Sequence, residues 1–371
     1  MAANILVIPD KFKGTLSAQA AADAIAVGWK KARPNDLIQL LPMSDGGDGF
    51  GEIVASAIGA RPQQIKTVNA AHEKIESTWW WESRSQTAII ESANVIGLAM
   101  LPTGKFHPFQ LDTFGLGKTL EAAARKGARS CYMGIGGSAT NDAGFGMARA
   151  LGWKFLDQTG AEITDWTNLA QLEKIVAPVN RILFPNLIVA VDVTNPLLGK
   201  TGCSQIYGPQ KGLRREDCPK AEAALKRLVA VSRETFKCDF CKIPGAGAAG
   251  GLGFGLMAFL DARPQSGFGI FAQNARLKEH LRKADLVITG EGALDQQTLM
   301  GKGVGQIALL CKEYKVRCIG LAGIVTEPEK AKKLFAQTRG LVEITSDTNA
   351  KKQPAKYLCK LAEDVASNWE V

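Results

Sequence analysis

Apolar and polar positions alternate along this chain in blocks that read as strands, turns and helices. Asn4 to Ile8 is a short apolar strand closed by Pro9-Asp10. A helix is expected over 17–31, with Ser17 as its N-cap. Leu37 to Leu41 is a second strand, closed by Pro42-Met43-Ser44-Asp45-Gly46-Gly47, and a further helix ends near Ala55 to Gly59. Strand, Gly/Asp turn and helix make the unit of an open parallel sheet. The last third repeats it: Asp285 to Thr289, Arg317 to Leu321 and Leu341 to Thr345 are expected strands, and a helix over about 354–369 ends the chain.

The middle of the chain differs. Glu76 to Glu82 contains Trp79-Trp80-Trp81, and Ser85 to Glu91 reads as its strand partner. The tryptophans suit packing better than a stacking platform. Leu187 to Val193 is another strand, and 212–236 a charged helical excursion. The pattern predicts an α/β protein with a second α/β domain inserted into a flavodoxin- or Rossmann-like parallel-sheet domain. The expected boundaries are 1–70 plus 283–371 for the outer domain and 71–282 for the insert.

Between Tyr132 and Leu151 an apolar run breaks on Gly134, Gly136 and Gly137, passes through Ser138, Thr140, Asn141 and Asp142, and resumes as a helix after Gly144. A strand that breaks on glycines and re-forms as a helix offers free backbone N–H groups to an anion. Phosphate is the expected cargo.

Composition narrows the classes. Hydrophobic residues make up 46% and charged residues 22% of the 371, as in ordinary globular chains. A net charge of +9 favours anionic partners, but Lys and Arg are scattered rather than striped between aromatics, so nucleic acid is not an expected partner. Residues 1–30 lack an uninterrupted apolar core, and no run of 18 apolar residues occurs. No membrane span is expected and a cytoplasmic location is. Cys238 and Cys241 form a lone C-x-x-C without a second pair or a nearby histidine, which does not make a zinc site.

Nucleotide motifs of the standard kind fail. Gly117-Lys118-Thr119 has Asp112, and Gly199-Lys200-Thr201 has Thr194, where a P-loop needs its first glycine. Gly245-Ala246-Gly247-Ala248-Ala249-Gly250 fits G-x-G-x-x-G, but no clean strand precedes it and no ribose-binding acid follows. It reads as a loop before a helix starting near Leu252 that can still touch phosphate. Three scattered histidines offer no triad base. Carboxylates in glycine-rich turns recur instead: Asp10, Asp45 and Asp48, Asp142, Asp192, Glu291 and Asp295, with Lys11, Lys13, Lys211 and Lys302 beside them. Such a set could hold Mg²⁺ and orient a hydroxyl for phosphoryl transfer.

These segments, taken in order, resemble the bacterial glycerate kinase type-1 family along essentially the whole chain. The resemblance rests on Pro9 to Ser17, Asp45 to Gly49, Gly134 to Gly144, Asp192 to Leu197, Gly208 to Gly212 and Ile288 to Gly292 with Asp295, Gln297 and Thr298. It implies ATP-dependent phosphorylation of D-glycerate with Mg²⁺, 2-phosphoglycerate as the product, and a Rossmann-like domain joined to a restriction-enzyme-like one with the site between them. Ser44, Asp48 and Phe50 depart from the residues expected in that turn.

On this reading Asp192 is the first candidate for general base or metal ligand. Asp45, Glu291 and Asp295 follow as catalytic candidates, with Asp295 a second metal ligand. Asp10, Lys13 and Lys211 would meet substrate or phosphate, and so would Gly136, Gly137, Ser138, Thr140, Asn141 and Asp142 and the loop at Gly247 and Gly250. Phosphorylation at the 3-hydroxyl, a nicotinamide-dependent hydroxy-acid oxidoreductase and an anion-binding regulatory protein are the alternatives. The sequence leaves the oligomeric state open.

Overall fold

The computed structural model describes residues 2–47, 49–182 and 184–369. Asp48, one of the turn carboxylates, lies outside them. The strands are β1 (Asn4–Pro9), β2 (Leu37–Leu40), β3 (Arg61–Val68), β4 (Lys74–Glu82), β5 (Thr87–Glu91), β6 (Ser130–Gly134), β7 (Lys154–Asp157), β8 (Leu172–Val176), β9 (Asn186–Ala190), β10 (Arg263–Gln265), β11 (Leu286–Leu294), β12 (Arg317–Val325) and β13 (Gln337–Gly340). The chain divides into two compact units, Met1–Asp45 with Phe268–Val371, and Gly46–Gly267. The sequence reading divided it at 70 and 283. β3 pairs along its whole length with β4, which carries 61–68 into the second unit.

The first unit is a parallel sheet of order β13-β12-β11-β1-β2. Counted within the unit this is the doubly wound order 2-1-3-4-5, and its switch point falls between β1 and β11. β1 reads Asn-Ile-Leu-Val-Ile-Pro because a central parallel strand is covered on both faces; all but Asn4 are buried. The helix Ala18–Ala32 follows, and Ser17 caps it by accepting a hydrogen bond from Ala20 N. Its buried alanines, Ile25 and Trp29 pack against the C-terminal helix Pro354–Ser367, where a Cβ on Gly28 would stand 2.0 Å from the Cys359 carbonyl oxygen.

One expected strand moves. Leu341 to Glu343 is a 3-10 turn, and the edge strand is the polar Gln337–Gly340. The Glu343 carboxylate accepts Gly340 N at 2.6 Å and pairs with Arg339, curling the chain. An edge strand needs no apolar run, so the sequence pattern marked the buried Leu341 beyond it instead.

The second unit has a six-stranded sheet of order β10-β9-β6-β5-β4-β3. β5, β6, β9 and β10 are parallel; β4 and β3 continue it antiparallel. β7 and β8 form a separate antiparallel pair. Trp79 is buried and meets Trp81 edge-on, so that part of the triplet is packing. The charged excursion resolves into the helix Cys218–Phe236. No described helix is long and apolar enough to cross a membrane.

Candidate active site

Both sheets place the candidate residues at the carboxyl ends of parallel strands. In the first unit Asp10 directly follows β1, Glu291 lies in the last part of β11 and Asp295 follows it. Asp10 is buried, and its carboxylate accepts Lys11 N at 2.7 Å. Burial, and next the charge of Asp45, push its pKa up to about 7, against the pull of the Lys11 N–H. Glu291 is also pushed up to about 7. Burial is the main cause, and the charges of Asp10, Asp295 and Asp45 add to it. A hydrogen bond from Thr298 Oγ1, 2.7 Å long, works the other way. Asp10 and Glu291 thus feel the charge of neighbouring carboxylates at the carboxyl ends of these strands.

Asp295 is the N-cap of the short helix Gln296–Leu299. It accepts Gln297 N at 2.8 Å and Thr298 N at 3.3 Å, and Thr298 Oγ1 accepts Asp295 N in return. Thr298 thus ties Asp295 to Glu291. Gly303, at φ +52°, leaves room beside the Glu291 carboxylate, since a Cβ there would lie 3.6 Å away. Lys13 is exposed, and its backbone N lies 3.3 Å from where a Cβ on Gly292 would be.

In the second unit Asp192 lies two residues past β9 and is exposed. Its carboxylate accepts Gly267 N at 3.1 Å. Nearby Asn195 is spent on local structure, donating to the Thr201 carbonyl and accepting from Tyr207 OH.

The Gly134–Gly144 turn follows β6 and splits into two parts. Gly136 and Gly137 reach the surface, whereas Ser138, Thr140, Asn141 and Asp142 are buried. Asp142 accepts Thr113 N, Thr113 Oγ1 and Gly146 N, all within 2.9 Å, through one oxygen. It joins the starts of the helices Phe114–Arg125 and Phe145–Ala150. Burial, and next Asp112, raise its pKa to about 6 against those donors. Asn141 donates to Ser204 Oγ at 2.9 Å, and its own carbonyl oxygen is buried with no hydrogen-bond partner among the described residues. Ser138 and Thr140 share a 2.9 Å hydroxyl contact.

Lys211 is buried as well, and burial lowers its pKa to about 8. Its ammonium donates to the Thr140 carbonyl at 2.6 Å. The Gly245–Gly251 loop packs on the same segment. A Cβ on Gly250 would stand 1.9 Å from Thr140 O, and one on Gly247 2.2 Å from Pro196 O. Ala143 N donates to Gly250 O. Close backbone approach therefore accounts for these glycines. A 3-10 turn, Phe240–Lys242, precedes them where a dinucleotide motif would need a strand. Ala143 and Ala249 both take left-handed backbone, at φ +51° and +54°, a strain that clusters at functional sites.

The structure thus brings Asp10, Asp45, Glu291 and Asp295 into electrostatic reach in one unit. In the other it joins the two glycine loops through Thr140. Sequence reasoning missed Glu91, whose buried carboxylate accepts Gly49 N at 2.6 Å and Gly51 N at 3.1 Å. A charge ending the apolar strand Thr87–Glu91 was the available signal. Thr113 and Ser204, partners of Asp142 and Asn141, carry no local signature.

Residues 5–370 match the model of the Glycerate kinase family. A glycerate kinase of Halalkalibacterium halodurans is 38% identical over 323 residues, covering 86% of this chain and 85% of that protein. The glycerate 2-kinase of Escherichia coli is 37% identical over 327 residues, covering 87% and 86%. A crystal structure of a protein assigned as glycerate kinase 2 from Salmonella typhimurium LT2 superposes with a TM-score of 0.85 at 32% identity, covering 99% of this chain and 98% of that one.

Proposed function

The chain belongs to the glycerate kinase family, and we propose that it transfers the γ-phosphoryl group of ATP to D-glycerate, with Mg²⁺, giving 2-phosphoglycerate. The observation that carries this reading is the position of Asp10 and Glu291. Both stand at the point where the strand order of the first sheet reverses, which is where doubly wound sheets take their ligands.

Phosphoryl transfer is mostly positioning and charge neutralisation. Glu291, near pH 7 by burial and by its neighbours, suits the acceptance of a hydroxyl proton. Asp45 and Asp10 would orient the substrate hydroxyls beside it. Asp192, exposed and held by Gly267 N in the second unit, remains a candidate general base or metal ligand. Gly136 and Gly137 would meet phosphate through their amides, and the exposed Lys13 the glycerate carboxylate or phosphate. Buried Thr140, Asn141, Asp142, Lys211, Gly247 and Gly250 would hold those loops in shape.

Mg²⁺ takes oxygen ligands and usually needs only one or two carboxylates, with phosphates and water completing the shell. Among the described residues no three acidic, histidine or cysteine side chains form a ready-made ligand set. Burial and neighbouring carboxylate charge raise the pKa of Asp10 and Glu291, and a cation beside them would relieve that repulsion. Asp295 in the first unit and Asp192 in the second are each proposed as a ligand, and the metal would supply charge neutralisation on the phosphates.

A coupled assay of ADP release with D-glycerate tests the reading, and glycerate-independent ADP formation, or none, would sink it. Phosphorus NMR of the product separates the 2- from the 3-phosphate. A regulatory anion binder would bind glycerate without releasing ADP.

A further inference from the structure

The glycine-rich turn over residues 46–51 opens the helix Phe50–Ile58. Gly46 and Gly51 leave no room for a side chain. A Cβ on Gly46 would stand 2.7 Å from Asp192 Oδ2, and one on Gly51 2.4 Å from the Trp80 ring. A Cβ on Gly136 would stand 3.2 Å from Gly47 Cα. The turn therefore lies directly against Asp192 and against the surface part of the Gly136–Asp142 segment. Gly49 is left-handed at φ +87°, a conformation most side chains avoid.

What holds this turn is Glu91. It is 6% exposed and ends β5, a central strand of the sheet. Its two oxygens accept Gly49 N and Gly51 N, at 2.6 and 3.1 Å. Both donors belong to the first turn of the helix, where amides lack partners and the helix dipole favours a negative charge. Charge-assisted bonds of this kind are the stronger ones. The protein's own carboxylate thus occupies the helix start, so these amides serve the turn and not a phosphate.

We propose that Glu91 is a positioning residue for phosphoryl transfer: by clamping the Gly46–Gly51 turn it sets the places of Asp192 and of Gly136. The role rests on the glycerate kinase reading above. A displacement of about 1 Å in such groups can cost on the order of 100-fold in rate.

Three measurements test it. Hydrogen–deuterium exchange of the unaltered protein, read by mass spectrometry on peptides spanning 46–54, is expected to show amides protected at least about 100-fold. Unprotected exchange there would overturn the clamp. Glu91→Gln keeps one acceptor but loses the charge. It is expected to lower kcat about tenfold or more, with the KM for D-glycerate changed less than about threefold and the folded fraction retained. A carboxylate that only stabilised the fold would instead leave kcat per folded molecule unchanged, and that result overturns the role.

Gly51→Ala pushes the same turn off Glu91 from the other side, through a Cβ 3.0 Å from Glu91 Oε2. It should show the same loss confined to kcat; a kcat equal to that of the unaltered enzyme counts against the clamp. Should Glu91→Gln not fold, this variant and the exchange measurement still decide. The unaltered chain is assayed alongside. If it releases no glycerate-dependent ADP, the reaction and the role both fall, whereas protected amides with unchanged kcat in both variants remove the role alone.

Discussion

The ammonium of Lys211 donates a 2.6 Å hydrogen bond to the carbonyl oxygen of Thr140, and that same oxygen lies 1.9 Å from where a Cβ on Gly250 would be. One carbonyl thus joins the short turn Pro209–Lys211, the Gly134–Gly144 turn and the Gly245–Gly251 loop. Lys211 is buried at this junction, with its ammonium turned to the loop backbone.

Lys211→Met should therefore loosen the junction. A hydrogen bond from a charged group contributes about 1.5–3 kcal/mol, though removing a buried ammonium's desolvation offsets part of that. The expected outcome is a small fall in stability with a fall in kcat/KM of roughly tenfold or more. Thermal melts and steady-state kinetics on the same preparation check it; unchanged kcat/KM would show the junction to be irrelevant to turnover.

Gly250→Ala is expected to be far more damaging. The new Cβ meets a backbone carbonyl that cannot swing aside, and the backbone at φ +68° disfavours alanine. Losses of about 3 kcal/mol or more in unfolding free energy are expected, since overpacking against rigid backbone lies at the upper end of its usual range. Denaturant titration measures this directly, and a loss below about 1 kcal/mol would mean that the loop can move away from Thr140.

Acid should switch the enzyme off near neutrality. If Glu291 accepts the hydroxyl proton it must be ionised, so kcat is expected to fall as pH drops through about 7. Glu291→Gln should lower kcat about 100-fold or more and erase that limb. A profile flat from pH 6 to pH 8 would exclude Glu291 as the base.

Stability should run in the opposite direction. Asp10 and Glu291 both titrate near 7 in the folded chain, above their ordinary values of 3.8 and 4.5. The folded state binds the extra protons, so the stability these groups contribute is complete below their unfolded values and is lost as pH rises to about 7. Asp10→Asn should accordingly stabilise the protein more at pH 8 than at pH 5, in melts at fixed ionic strength. Mg²⁺ held by Asp295 should likewise raise the melting temperature more at pH 8, where the neighbouring Asp10 and Glu291 are ionised and add to the attraction for a cation, than at pH 5; equal shifts at the two values would place the cation away from these carboxylates.

Asp192→Asn should keep the fold, because the amide oxygen can still accept Gly267 N. Turnover is nonetheless expected to fall by orders of magnitude. Turnover near that of the unaltered chain, with circular dichroism unchanged, would remove Asp192 from the reaction.

Local order was legible in the chain itself. Ser17 caps its helix as its residue type requires, β1 reads as a buried parallel strand, and the glycines after β6 end it and open a helix. Each of these depends on neighbours a few residues away, where periodicity and turn chemistry act directly. Tertiary structure alone decided which polar groups turn inward. One oxygen of Asp142 takes the bonds of Thr113 and Gly146, while Glu91, an unremarked strand end, holds Gly49 and Gly51 from 40 residues or more away. Gly250, which fits a nucleotide motif on paper, is glycine because Thr140 O leaves no space for anything larger. A buried carboxylate or a crowded glycine is defined by what stands across from it, and segments far apart in the chain meet there only after the sheets have formed.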